Sequence, residues 1–243
     1  MDKIVGVVIP AAGRSERMGR GVNKQFMLLA GKPVLCHSVE VFLSLEKVSQ
    51  VVVVVHPNDI ERCRDLLGNR SVQVVPGGDE RQDSVYSGLQ ALARETELVA
   101  VHDGARPLLC PGLVRSLLDE AVKWGAVIPA VPAKDTLKEV DENRVVLSTL
   151  ERSRIWQAQT PQVFRYQSLL DAYEQARKDG FYGTDDASLY ERYCGKVRVV
   201  VGDYRNIKIT TPEDLLVAEA LLRASRSTRE RGEGESDEGR CGV

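Results

Sequence analysis

Ile4-Val-Gly-Val-Val-Ile9, followed without a break by Pro10-Ala-Ala-Gly-Arg-Ser-Glu-Arg-Met-Gly-Arg-Gly-Val-Asn-Lys-Gln-Phe26, decides how the rest of the chain is to be read. A short run free of polar residues suits a strand buried on both faces. The segment behind it looks like a loop built to hold a polyphosphate. Its glycines let the backbone approach a ligand closely, while Arg14, Arg17, Arg20 and Lys24 put several permanent cations into one short stretch. In an open α/β sheet ligands bind beyond the carboxyl ends of the strands, which is where this turn would lie.

The same rhythm continues downstream. Apolar runs recur at Val51 to Val55, Val72 to Val75, Leu98 to Val101, Ala126 to Val131 and Val197 to Val201. Between and around them lie helical patterns at Val34 to Leu45, Ile60 to Leu67, Ser84 to Arg94, Gly112 to Trp124, Gln167 to Lys178 and Glu213 to Arg223. Alternation of this kind predicts an α/β fold with a doubly wound, mostly parallel sheet of Rossmann-like type. Two regions break the pattern. From about 134 to 159, Asp141-Glu142-Asn143 is flanked by Leu137, Val140, Val145, Val146 and Leu147, which predicts a projecting β-hairpin arm. From Ala224 to Val243 charged and small residues displace apolar ones, so a disordered tail is expected. The expected division is one domain over 1–223, including the arm, and a charged tail over 224–243.

Composition narrows the partners. With 243 residues and 43% hydrophobic content the chain can bury a sizeable core, and its net charge of -2 offers no global field for a nucleic acid. The basic cluster near the start therefore speaks for a small anionic ligand. The five cysteines are widely spaced, without a Cys-x-x-Cys pair, which argues against zinc and disulfide frameworks. No run approaches the roughly 18 to 20 apolar residues of a membrane span, so a cytoplasmic protein is expected.

Polar clusters follow the strand runs in turn: Pro76-Gly-Gly-Asp-Glu-Arg-Gln-Asp-Ser84, His102-Asp-Gly-Ala-Arg-Pro107, Lys134-Asp-Thr136 and Asn206-Ile-Lys-Ile-Thr210. The opening loop matches neither the Gly-x-Gly-x-x-Gly dinucleotide fingerprint nor the Gly-x-x-x-x-Gly-Lys-Ser/Thr phosphate loop, so dehydrogenases and P-loop NTPases lose ground. By itself a basic turn with glycines also fits a solvated surface loop.

Taken together the clusters carry a resemblance. Pro10-Ala-Ala-Gly-x-x-x-Arg-Met with Lys24-Gln25-Phe26 resembles the signature of sugar-nucleotide and polyol-phosphate nucleotidyltransferases. Adding Gly77-Gly-Asp-Glu-Arg-x-x-Ser84, His102-Asp-x-Ala-Arg-Pro107, Asp135-Thr136, Gln159-Thr-Pro-Gln162, Thr184-Asp-Asp-Ala187 and Asn206-Ile-Lys208 makes the chain similar to the 2-C-methyl-D-erythritol 4-phosphate cytidylyltransferase family, over roughly Val5 to Leu222. That resemblance implies that a polyol phosphate attacks the α-phosphorus of CTP and releases pyrophosphate. Catalysis of such a transfer rests on in-line positioning and on cations that stabilise charge on phosphate oxygens.

The resemblance implies roles residue by residue. Arg17 and Lys24 would be the catalytic cations. Pro10, Ala11, Ala12 and Gly13, with Gly78, Asp79, Arg81 and Ser84, would bind the nucleotide, although Ser84 also suits the N-cap of the helix behind it. Asp103, Arg106, Thr136, Arg152, Thr160 and Lys208 would bind the acceptor. Asp103 would also hold Mg²⁺, an ion content with one or two carboxylates when phosphates and water complete its shell; paired structurally with Arg106, it would be ordinary. His102 reads as a structural hydrogen-bonding residue. Arms of this family clasp a second subunit, which implies a homodimer in which Arg152 reaches the partner's site. Ser15, where the family commonly has glycine, departs from the pattern. Two alternatives stay open: a ribitol 5-phosphate cytidylyltransferase, differing in the acceptor pocket, and a nucleotide-binding sensor without turnover.

Overall fold

Eight strands build the central sheet of the computed structural model, which describes residues 4–13 and 23–231. At its middle β1 (Val5–Pro10) pairs in parallel with β4 (Val48–Val55) on one side and β6 (Leu98–Val101) on the other; β5 (Gln73–Pro76) pairs in parallel with β4 at the edge. Beyond β6 lies β11 (Gln162–Arg165), antiparallel both to β6 and to β7 (Ala126–Pro132). β10 (Trp156–Ala158) runs along the rest of the same edge of β7, with Trp156 opposite Pro132 and Ala158 opposite Ala130. β12 (Arg198–Val201) is parallel to β7 and must occupy its other edge, because Ala130 pairs with both Ala158 and Val201. The mostly parallel sheet expected from the apolar runs is therefore present, with one reversed line of strand inserted between β6 and β7.

Valine repeats explain the layers. Successive strand side chains point to opposite faces, so Val5, Val7 and Ile9 join Val51, Val53 and Val55 on one face. There they meet α1 (Val34–Leu43), α2 (Ile60–Leu67) and α4 (Pro111–Trp124) through Leu35, Phe42, Leu67, Val114 and Leu117. Val8, Val52 and Val54 face the other way, against α3 (Arg81–Gln90), α5 (Tyr166–Asp179) and α6 (Asp186–Tyr193), through Val85, Leu89, Leu169, Tyr173 and Leu189. Burying each of these side chains contributes about 1.5 to 3 kcal/mol. The close seat of α3 depends on Gly88, where an added Cβ would stand 2.4 Å from Val8 Cγ1. A smaller cluster of Leu29, Val34, Ile209 and Ala218 joins the short hairpin β2 (Leu28–Leu29) and β3 (Lys32–Pro33) to α7 (Pro212–Arg231).

The stretch expected to form the arm contains a two-stranded hairpin. β8 (Lys138–Val140) and β9 (Val146–Thr149) form a separate antiparallel sheet, and Asp141 Oδ1 accepts the backbone N–H groups of Asn143 and Val145 to close the turn.

Three local readings are corrected. Helix α3 starts at Arg81 instead of Ser84: its N-cap is Glu80, paired with Asp83 in a reciprocal capping box, so Ser84 lies inside the helix and is not the cap. The final helix continues to Arg231, so residues 224–231 of the expected disordered tail are helical, and the remaining tail falls outside the described residues. Cys36, Cys63 and Cys194 are free thiols, but Cys110 is disulfide-bonded, which its spacing gave no reason to expect.

Candidate active site at the carboxyl rim of the sheet

After β1 the chain builds β4 and β5 on one side, then returns to lay β6 on the other. The turns after β1 and β6 are thereby neighbours at the switch of strand order, the place where open α/β sheets bind ligands. His102 N donates to Val8 O at 2.9 Å and Gly104 N to Pro10 O at 3.3 Å, stitching the two turns together.

Asp103 is the centre of this rim. It is only 8% exposed, yet three cations surround its carboxylate: Lys208 Nζ at 2.9 Å and Arg106 Nε at 3.8 Å from Oδ2, and Arg81 Nε at 3.4 Å from Oδ1. Burial opposes ionisation, but the charges of Arg81, Lys208 and Arg106 outweigh it and hold the carboxyl well below the usual range. Arg106 Nη1 donates to Asn206 O at 2.7 Å, whereas its Nε and Asn206 Oδ1 are buried without a hydrogen-bond partner. Buried polar groups left open in this way suit a site that a polar ligand completes.

Thr160 fixes the backbone beneath that carboxylate. The amide of Asp103 donates to Thr160 Oγ1 at 3.1 Å, and Thr160 Oγ1 lies 3.1 Å from His102 Nδ1. His102 Nε2 faces Arg106 O at 3.1 Å, and a carbonyl only accepts. Nε2 therefore carries the proton, and Nδ1 accepts from the Thr160 hydroxyl. Burial keeps this imidazole neutral, its pKa pushed down to about 4, which agrees with a structural role. The Asn206 amide donates to Thr160 O at 2.8 Å, and Ile209 N donates to Ala105 O at 2.9 Å, so the segment carrying Lys208 is sewn to the turn after β6.

On the β1 side, the Gln25 amide donates to the carbonyls of Ala11 and Gly13, pinning the turn Lys24–Phe26 against Pro10 to Gly13. Arg62 stacks 4.2 Å above Phe26 on the outer side. Lys24 is thus delivered to the opening loop, whereas Arg17 and Ser15 lie outside the described residues. The turn after β5 closes in through Gly77, where an added Cβ would be 2.6 Å from Ser84 Oγ and 2.7 Å from Ala12 Cβ. Gly78 and Asp79 are exposed there, and Ser84 is buried with its hydroxyl donating to Glu80 O at 3.2 Å.

Asp103, Arg106, Thr160, Lys208 and Arg81 are therefore gathered, and Thr136 and Arg152 are not. Both are exposed, and Arg152 Nη1 donates to Lys134 O at 2.9 Å at the foot of the hairpin. Gln25, Gln159, Asp186 and Asn206 all stand inside the quoted motifs, where the sequence reading assigned none of them a role of its own.

Among the described residues no group of three His, Cys, Asp or Glu could enclose a metal. The donor set nevertheless fits magnesium, since Asp103 stays ionised and that cation readily takes one carboxylate beside phosphate oxygens and water.

The rim thus gathers one ionised carboxylate and three cations at the switch point of a mostly parallel sheet, and comparison with known proteins makes the chain a nucleotidyltransferase. Within that class the chain belongs to the 2-C-methyl-D-erythritol 4-phosphate cytidylyltransferase family, whose model matches residues 5–224. A protein of that name from Pelotomaculum thermopropionicum is 49% identical over 229 residues, covering 92% of this chain and 96% of the relative. One from Geobacillus kaustophilus is 48% identical over 223 residues, covering 90% and 96%. The crystal structure of 4-diphosphocytidyl-2C-methyl-D-erythritol synthase from Anaerococcus prevotii superposes with a TM-score of 0.82 at 32% identity, covering 91% of this chain and 97% of the other.

Proposed function

We propose that the chain joins CTP to 2-C-methyl-D-erythritol 4-phosphate, giving CDP-methylerythritol and pyrophosphate on the non-mevalonate route to isoprenoid precursors. The observation that carries this reading is the Asp103 carboxylate held among Lys208, Arg106 and Arg81 in a chain matched by that family along nearly its whole length. An oxygen of the acceptor phosphate attacks the α-phosphorus, and the bond from that phosphorus to the bridging oxygen of the β-phosphate breaks. The electron pair leaves with pyrophosphate, so no protein nucleophile is needed.

Arg17 and Lys24 offset charge on the triphosphate as the α-phosphorus becomes five-coordinate. Backbone groups of Pro10, Ala11, Ala12 and Gly13 and the turn with Gly78, Asp79, Arg81 and Ser84 receive the nucleotide. Arg106, Thr160 and Lys208 receive the acceptor beside Asp103, and Thr136 and Arg152 approach from the hairpin. Asp103 would hold a magnesium ion, which would supply Lewis-acid neutralisation of phosphate charge.

The protein acts as a cytoplasmic homodimer. On the hairpin Val140, Val145, Val146 and Leu147 are 49%, 59%, 54% and 62% exposed. A two-stranded ribbon is marginal alone in water, and its exposed apolar side chains support a clasp on a second subunit. Among the described residues no helix is long and apolar enough to cross a membrane.

A paired assay tests the reading: pyrophosphate release with CTP, Mg²⁺ and methylerythritol 4-phosphate, against ribitol 5-phosphate in its place. Faster or equal turnover of ribitol 5-phosphate sinks the acceptor assignment, and a protein that binds CTP yet releases no pyrophosphate with either acceptor is a sensor.

A further inference from the structure

Asp186 lies in the first turn of α6 with no exposed surface, an interior carboxylate that the proposed reaction does not use. A charge so placed persists only when its neighbours return charge and hydrogen bonds together. Arg81 donates to it from Nη1 at 3.1 Å and from Nη2 at 2.8 Å, and the buried Tyr173 hydroxyl donates to its Oδ1. Helices α5 and α6 thus grip a side chain that belongs to α3.

The grip decides what Arg81 can offer Asp103. A guanidinium is a planar fork, and its most favourable partner geometry is a bidentate pair with a carboxylate. With both terminal nitrogens engaged by Asp186, only Nε faces Asp103, at 3.4 Å from Oδ1. Released from Asp186, the fork could turn to clasp both Asp103 oxygens and close them to any ligand. We propose that Asp186 is a positioning residue that keeps Arg81 from closing over Asp103, leaving one face of that carboxylate open to substrate. This rests on the reading of Asp103 as substrate-facing.

The crystal structure of the Asp186→Asn variant tests the geometry without requiring turnover. The expected result is both terminal nitrogens of Arg81 within hydrogen-bonding distance of Asp103; an unmoved Arg81 overturns the proposal, whatever the reaction. Kinetically, kcat should fall about 10- to 100-fold, and the KM for CTP should rise with it, because Arg81 also serves the nucleotide turn. In an Arg81→Met background the same Asp186→Asn change should cost nothing further, because no fork remains to close; losses that multiply independently overturn the proposal. Should Asp186→Asn fail to fold, Tyr173→Phe removes one bond from Asp186 and should lower kcat about threefold, again only when Arg81 is present. Wild-type turnover in that variant overturns the proposal too. A wild-type enzyme without pyrophosphate release would defeat the proposed reaction and leave the crystallographic outcome to decide this inference.

Discussion

The rim around Asp103 and the foot of the hairpin each hold residues assigned to the same acceptor, yet the fold treats them differently. Asp103, Arg106, Thr160 and Lys208 are tied to one another and to backbone carbonyls. Thr136 and Arg152 are exposed, and the Arg152 guanidinium is bonded to the Lys134 carbonyl. The rim is pre-organised within one chain, so binding there costs little ordering. Thr136 and Arg152 flank a ribbon whose apolar side chains are exposed, so their contribution depends on what packs against it.

The sharpest way to break this contrast is Asp103→Asn. Removing the charge leaves Arg81, Arg106 and Lys208 facing one another without their shared counter-ion. We expect kcat to drop by about 10³-fold or more, with a stability loss of about 3 kcal/mol. Steady-state kinetics and urea unfolding check both; a variant that keeps wild-type turnover would remove Asp103 from the centre of the site.

A second comparison uses acid. Folding pushes the His102 pKa down to about 4, against about 6.5 when unfolded. Between those values the unfolded chain binds more protons, so stability rises with pH across the window and is lost as pH falls from about 6.5 toward 4. The full loss is about 3 kcal/mol. His102→Gln should flatten that slope, measured by unfolding at several pH values. An unchanged slope would mean that His102 does not hold the neutral link between Arg106 and Thr160.

The smallest effect belongs to the hairpin. Arg152→Ala should lower kcat/KM for the acceptor about tenfold while leaving the melting temperature unchanged, since an exposed arginine stabilises little. A drop in melting temperature as large as that of Asp103→Asn would erase the distinction between the two regions.

Much of this was legible before any coordinates. The apolar runs located all the parallel strands, and the helical periodicities located all helices but α6. The direction of β11 was not legible: Gln162-Val-Phe-Arg165 is a short half-apolar stretch, and nothing in four residues says which way a strand runs. The start of α3 was misplaced because Glu80 and Asp83 form a capping box without the usual Ser, Thr, Asp or Asn at the cap. At the site, Asp103, Arg106 and Lys208 were named through the family resemblance, not by residue type, and the structure brings their side chains together. Asp186 escaped because its partner Arg81 is 105 positions away, and an acid in a first helical turn ordinarily needs no further reason than the helix dipole.

The pairing of Trp156 with Pro132 has a consequence for how such a protein can be altered. The chain leaves the sheet at Pro132 and rejoins it at the residue paired with it, so the excursion from 133 to 155 starts and ends at one rung. A change of its length need not re-register any strand of the central sheet, and whatever it carries is presented above the same end of that sheet.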